Sequence, residues 1–271
     1  MNNKSFTEPS DISDILNRHF ISIGPNLASA LPIEDADFES YITPARSVFR
    51  LKHTTADVVF KILKKLSPHK ATGLDNISCR LLKEAAPIIS VSLAMIINGS
   101  IDSGVFPSKW KIAKIFPLFK ANDRTDPHNY RPISVLSTVS KVCERVVYDQ
   151  LYAYLTENAL LTKFQSGFRS LHSTVTALLD VTNEWYLNID RGMTNSVVFL
   201  DLAKAFDTVS HTILLRKLEL YGVKGTTLDW FQSYLSNRQQ HCVVEGSISK
   251  PPKGICGPLF FLLYINVLKI Y

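Results

Sequence analysis

The chain has 271 residues, 46% of them hydrophobic, a share that excludes intrinsic disorder and allows one large domain or two smaller ones. Residues 1–50 carry 4 Lys/Arg against 7 Asp/Glu, and residues 51–271 carry 26 against 17, so a −3 front end precedes a +9 body within a net charge of +6. That balance fits a polyanionic partner for the body, most simply nucleic acid, with a basic solvated surface as the plain alternative.

The N-terminal text MNNKSFTEPSDISDIL has no apolar signal core. Residues 1–50 read as a connector, with one amphipathic helix at 11–20 and Pro/Gly/Asp-rich text after it. A compact body begins near Thr54. Thr54 or Thr55 caps a helix whose positions Val59, Ile62, Leu63 and Leu66 share one face, while Lys61, Lys64 and Lys65 hold the other. HKATGLDNIS is a basic loop around Gly73, and a second helix is expected at 79–99. In SKWKIAKIFPLFK, lysines interleave with apolar and aromatic residues, and 113–119 suits a strand. ANDRTDPHNYRPIS is polar and turn-rich, with Pro127 and Pro132 breaking any helix. Helices are expected at 140–157, with Val142, Val146, Leu151 and Leu155 as its core stripe, and at 173–190.

Residues 196–200 read as a strand by their β-branched and aromatic content. Asp207 or Ser210 would cap a helix to Tyr221, a short helix follows at 230–235, and a strand at 240–245. From Pro258 the chain reads as a helix. Its stretch PLFFLLYINV is too short to span a bilayer, and no membrane is expected. Cys79, Cys143, Cys242 and Cys256 form no CxxC pair and read as reduced, mostly buried thiols of an intracellular protein. Helices outnumber strands, strands bracket the acidic text of NSVVFLDLAKAFDTVSH, and the fold class is α+β.

An aspartate at the end of a strand is a carboxylate on a rigid element, which metal ions that position phosphates require. Asp201 fits that role. Two-metal phosphoryl transfer needs at least two carboxylates shared by ions about 3.5–4 Å apart. Asp207 suits a helix cap better than a ligand.

FLDLAKAFDTVSH resembles the first catalytic motif of the reverse transcriptases of non-LTR retrotransposons, the LINE-like and jockey-like elements. The resemblance continues through WKIAKIFPLFK, HNYRPIS, SKVCE, QSGFRSLHST, LLRKLELYGVKG, WFQSYLSNRQQ and GPLFFLLYIN, in order over roughly residues 54–266. It implies a right-hand polymerase: a linker at 1–50 that follows an endonuclease in such elements, fingers and N-terminal blocks at 51–170, and a partial palm at 171–271. It implies Mg²⁺ at a two-metal site, and an RNA template, a DNA primer and dNTPs as partners. It implies action in nucleus and cytoplasm. Asp201 matches the first metal-binding aspartate, and Leu202 the residue whose backbone carbonyl completes a metal shell. Phe206 matches the steric gate under the sugar, with a core aromatic as its plain alternative. Lys120 and Arg131 match the residues that approach the incoming triphosphate, Lys as a point charge and Arg as a bidentate fork. Gln165, Gly167, Phe168 and Arg169 match the block that supports template and fingers.

Two departures stand against the matches. Where the family reads like PQGSxLGP, this chain has PPKGICGP, with Lys253 in place of Gln and one residue fewer between Gly254 and Gly257. The family's aromatic–Ala–Asp–Asp hairpin should follow YIN, and here YIN is followed by Val267. The expectation is therefore a truncated, inactive polymerase domain, with a non-catalytic nucleic-acid-binding relic as the alternative.

Overall fold

The computed structural model describes residues 6–29, 38–201 and 209–250. Its helices are α1 (Pro9–Ser29), α2 (Ala56–Lys64), α3 (Cys79–Ser103), α4 (Thr138–Glu157), α5 (Thr174–Asp190), α6 (His211–Leu220) and α7 (Thr226–Leu235). Its strands are β1 (Ile112–Phe119), β2 (Tyr130–Leu136), β3 (Gln239–Val244) and β4 (Ser247–Ile248). They form one sheet in the order β2-β1-β3-β4, and the fold is mixed α/β with a small sheet.

The caps explain where the helices start. Thr55 Oγ1 accepts from Val58 N, Ser78 Oγ from Leu81 N, and Ser173 closes a capping box with Thr176. Ser210, not Asp207, caps α6, and Asp207 lies outside the described residues. The expected core stripe of α4 is buried throughout, at Val142, Val146, Leu151 and Leu155. The main core joins these to α2, α3, α6, α7 and residues 42–51. At its centre Phe106 meets Trp230 edge-on at 5.4 Å, and the Trp230 indole N–H donates to Ser100 Oγ at 2.9 Å. Cys79, Cys143 and Cys242 are buried free thiols, as expected; Cys256 lies outside the described residues. Burial pushes the thiols of Cys143 and Cys242 up to about 12. The α3 helix is long and apolar enough to cross a membrane by length and composition, yet nine of its residues are buried in the protein, most of them in this core.

Three sequence expectations are corrected. Residues 130–136 form strand β2, which the two prolines had hidden. The strand lies at the sheet edge, and Pro132 stands opposite Pro117 of β1, a position where neither residue has an N–H to lose. Residues 196–200 form no strand, because no described strand lies beside them to complete a ladder. The first helix runs to Ser29 and is packed on the sheet. Its Leu16 and Phe20 bury against Ala113, Ile115 and Cys242. Asn17 bonds Ser249 Oγ at 2.6 Å and accepts from Gln240 at 2.8 Å. The expected helix from Pro258 lies outside the described residues.

Candidate functional site

The β1–β2 hairpin has two unlike faces, set by its register. Directly opposed residues share a face. Ala113 and Ile115, with Leu136 and Tyr130, look toward α1. The other face pairs Lys114 with Val135, Phe116 with Ile133, and Leu118 with Arg131. It continues to Lys120, whose N–H donates to Asn129 O at 2.8 Å. From Phe116 outward this face is open: Phe116, Leu118, Lys120, Arg131 and Ile133 are exposed. Lys120 and Arg131 thus become diagonal neighbours at the hairpin's far end, and neither is in an ion pair among the described residues.

The connecting loop is rigid through its own side chains. Asp123 Oδ1 accepts from Thr125 N at 2.8 Å, and Asp126 Oδ1 from His128 N at 2.9 Å. These backbone donors hold both carboxyls below the usual range. Tyr130 donates to Arg124 O at 2.9 Å, and the His128 ring meets His19 of α1 at 4.5 Å. A loop fixed in this way fixes where Lys120 and Arg131 stand.

The second matched block, Gln165 to Arg169, lies in the loop between α4 and α5. Arg169 folds this loop on itself, donating to Thr162 O at 2.8 Å and Gln165 O at 3.4 Å. Ser170 N donates to the Tyr152 hydroxyl at 3.0 Å, which ties the loop to α4. Gln165 is buried, while Phe168 is exposed at φ 61°, an uncommon backbone for a bulky residue. Gly167 has no positive φ, and a Cβ there would meet nothing within 4 Å. The fold itself does not require glycine at that position.

Asp201 is exposed at the end of an irregular stretch. The stretch is tied back to α5 through Asn195, which accepts from Asn188 at 2.8 Å and donates to Trp185 O at 3.0 Å. Leu202, Phe206, Lys253 and Gly254 lie outside the described residues. Among the described residues no group of three or more His, Cys, Asp or Glu is placed to hold a metal ion. Asp201 alone does not meet the ligand needs of two ions. Sequence reasoning missed strand β2, and with it the open apolar face beside Arg131. The alternation of Ile133 and Val135 along YRPISV was the available signal.

Comparison with known proteins places these positions in one family. The model of the family described as reverse transcriptase (RNA-dependent DNA polymerase) matches residues 120–268, a span that includes Lys120, Arg131, the block from Gln165 to Arg169 and Asp201. The chain is similar to the RNA-directed DNA polymerase from mobile element jockey of Drosophila melanogaster, 33% identical over 247 residues, covering 84% of this chain and 26% of that protein. It is similar to the probable RNA-directed DNA polymerase from transposon BS of the same species, 31% identical over 242 residues, at 83% and 26% coverage. It also resembles the Pol polyprotein of retrotransposable element R2 of Popillia japonica, 28% identical over 134 residues, at 49% and 18%. The chain spans about a quarter of the length of the two Drosophila relatives.

Proposed function

The chain belongs to the reverse transcriptase (RNA-dependent DNA polymerase) family, and from that premise we propose that it is part of the RNA-directed DNA polymerase of a non-LTR retrotransposon. Residues 51–170 are read as fingers and N-terminal blocks, 171–271 as part of the palm, and 1–50 as the segment leading into them. One observation carries the reading: Lys120 and Arg131, separate in sequence, stand together and unpaired on the open face of a braced hairpin. A point charge beside a planar fork suits the triphosphate of an incoming nucleotide. The exposed apolar surface of Phe116, Leu118 and Ile133 suits the base or sugar beside it. Gly167, not needed by the fold, leaves room for close approach of a template strand.

Asp201 is proposed as one metal-binding carboxylate, with Mg²⁺ as the ion, the Leu202 carbonyl completing its shell and Phe206 lying under the sugar. The sequence contains no adjacent pair of aspartates. These 271 residues are therefore read as binding nucleotide and template without extending a primer. Phosphoryl transfer depends on metal and positioning, and one carboxylate does not organise two ions.

Two measurements test this. A fluorescent dNTP analogue titrated in Mg²⁺ should bind, and replacing both Lys120 and Arg131 by alanine should weaken binding by about 10- to 100-fold, the range for charge-assisted hydrogen bonds. Equal affinity in the variant would remove the hairpin from the site. Primer extension on an RNA template should give no product; product abolished by Asp201→Ala would overturn the reading of a non-extending chain.

A further inference from the structure

Of the 13 prolines in the sequence, two follow a hydroxyl residue: Pro44 after Thr43 and Pro68 after Ser67. Both are followed two positions later by a base, in Thr43-Pro44-Ala45-Arg46 and Ser67-Pro68-His69-Lys70. Only 30 of the 271 residues are Lys or Arg, so composition alone does not lead one to expect a base at both places. A hydroxyl, a proline and a base at this spacing give an enzyme three handles. The hydroxyl is a phosphoryl acceptor. A pocket with no partner for an N–H at the next residue admits proline and penalises other residues. A carboxylate on the enzyme pairs with the base.

The fold treats the two steps differently. Residues 67–71 are exposed and lie in neither helix nor strand, between two anchors. On one side Lys83 Nζ donates to Leu66 O at 3.3 Å. On the other Gly73 packs on Ser137, where a Cβ would lie 2.8 Å from the Ser137 nitrogen. Between the anchors, Ser67, Pro68, His69 and Lys70 make no hydrogen bond among the described residues. Proline pushes the residue before it to extended backbone, the form in which a cleft can take up a chain. Lys70 is in no ion pair among the described residues. Thr43 is also exposed, but its neighbours are tied down. Ile42 is buried in the main core, and Ala45 N donates to Leu220 O at 2.8 Å.

We propose that Ser67 is a phosphorylation site for a proline-directed kinase that reads a base three residues after the hydroxyl. Ser67 Oγ attacks the γ-phosphorus of ATP, and the bond from that phosphorus to the β–γ bridging oxygen breaks. ADP leaves, and the hydroxyl proton passes to the kinase's catalytic aspartate. The product carries a charge of about −1.5 to −2 at neutral pH. It stands within three residues of Lys64, Lys65 and Lys70. The carboxylates nearest to it in sequence are engaged elsewhere: Asp75 accepts from Ser137 Oγ, and Asp57 pairs with Lys61 at 2.6 Å. Glu84 follows Lys83 on α3.

The test incubates the full folded chain with Mg²⁺-ATP and a cyclin-dependent kinase as the probe, and maps phosphate by tandem mass spectrometry. Ser67 should be modified, Thr43 should not, and Ser67→Ala should abolish incorporation. Pro68→Ala and Lys70→Ala should each slow the initial rate at least about tenfold, the loss expected for an unpaired N–H or a missing charge-assisted hydrogen bond. Lys64→Ala with Lys65→Ala should leave the rate unchanged. All of these side chains are exposed, and an unchanged melting curve would verify that each variant is folded. No phosphate on Ser67 of the folded wild type would overturn the proposal. So would an undiminished rate in Pro68→Ala, which would assign Ser67 to an enzyme that reads the lysines ahead of it. Modification of Thr43 in preference to Ser67 would overturn the distinction drawn from the anchored strap.

Discussion

Two glycines separate what the fold needs from what a ligand needs. Gly73 lies against the backbone of Ser137, and the Cβ of an alanine there would sit 2.8 Å from its nitrogen and 3.0 Å from its Cα. Backbone at a strand–helix junction cannot step aside. Gly73→Ala should therefore cost about 1–3 kcal/mol, read as a lower denaturant midpoint at unchanged slope. Gly167→Ala meets open space and should change stability by no more than about 0.5 kcal/mol in the same assay. A further residue-scale effect comes from Lys217, whose side chain is buried in the face that α6 turns inward. Burial pushes its ammonium from the ordinary 10.5 down to about 8. Between those values the unfolded chain holds a proton that the folded chain lacks, so stability rises with pH across pH 8 to 10.5. The rise should approach about 3 kcal/mol, and Lys217→Met should flatten it in unfolding curves taken at both ends of the window.

At the scale of elements, α1 and the strap at residues 38–51 make the N-terminal text part of the body. Ala45 N donates to Leu220 O and Phe49 N to Gly222 O, each at 2.8 Å. Tyr154 donates its hydroxyl toward Ser47 O and Tyr221 O, both at 2.9 Å, and Arg216 grips Glu39 at 2.7 Å. The α1 helix is held by Leu16 and Phe20, and by the buried bonds of Asn17. Leu16→Ala should remove about 2–4 kcal/mol from this docking. Amide hydrogen exchange should then speed up in α1 and β3 while α3 and α4 stay protected. Equal protection of α1 before and after the change would show that the polar bonds, not Leu16, hold it.

For the whole molecule, apolar surface is unevenly covered. α2, α3, α4, α6 and α7 share one core, whereas α5 has no buried residue among those described. Its Val175, Leu178, Leu179, Tyr186 and Ile189 fall at helical spacing and are all exposed, and Val198, Phe199 and Leu200 beyond it are more than 70% exposed. An apolar surface of this kind drives association. Light scattering should find self-association that grows with concentration and is reduced by Leu178→Lys with Leu179→Glu. Unchanged association in that variant would place the sticky surface elsewhere, with the exposed Ile88, Val91 and Met95 of α3 as the next candidate.

Sequence alone determined the helices that carry their own instructions. A Thr or Ser cap and a three-and-four apolar rhythm define α2, α3 and α6 locally, and the apolar rhythm alone defines α4, because a helix satisfies its backbone within itself. The ordered motifs from WKIAKIFPLFK to GPLFFLLYIN likewise determined the family, which needs only residue identities in register. Tertiary structure decided the strands. The proline-bearing 130–136 became β2 because β1 offered it an edge, while 196–200, with stronger strand residues, had no described neighbour and formed none. A strand's hydrogen bonds belong to its partner. For the same reason the placing of Lys120 diagonally beside Arg131, which carries the proposed site, is written in the register between two strands and in neither strand alone.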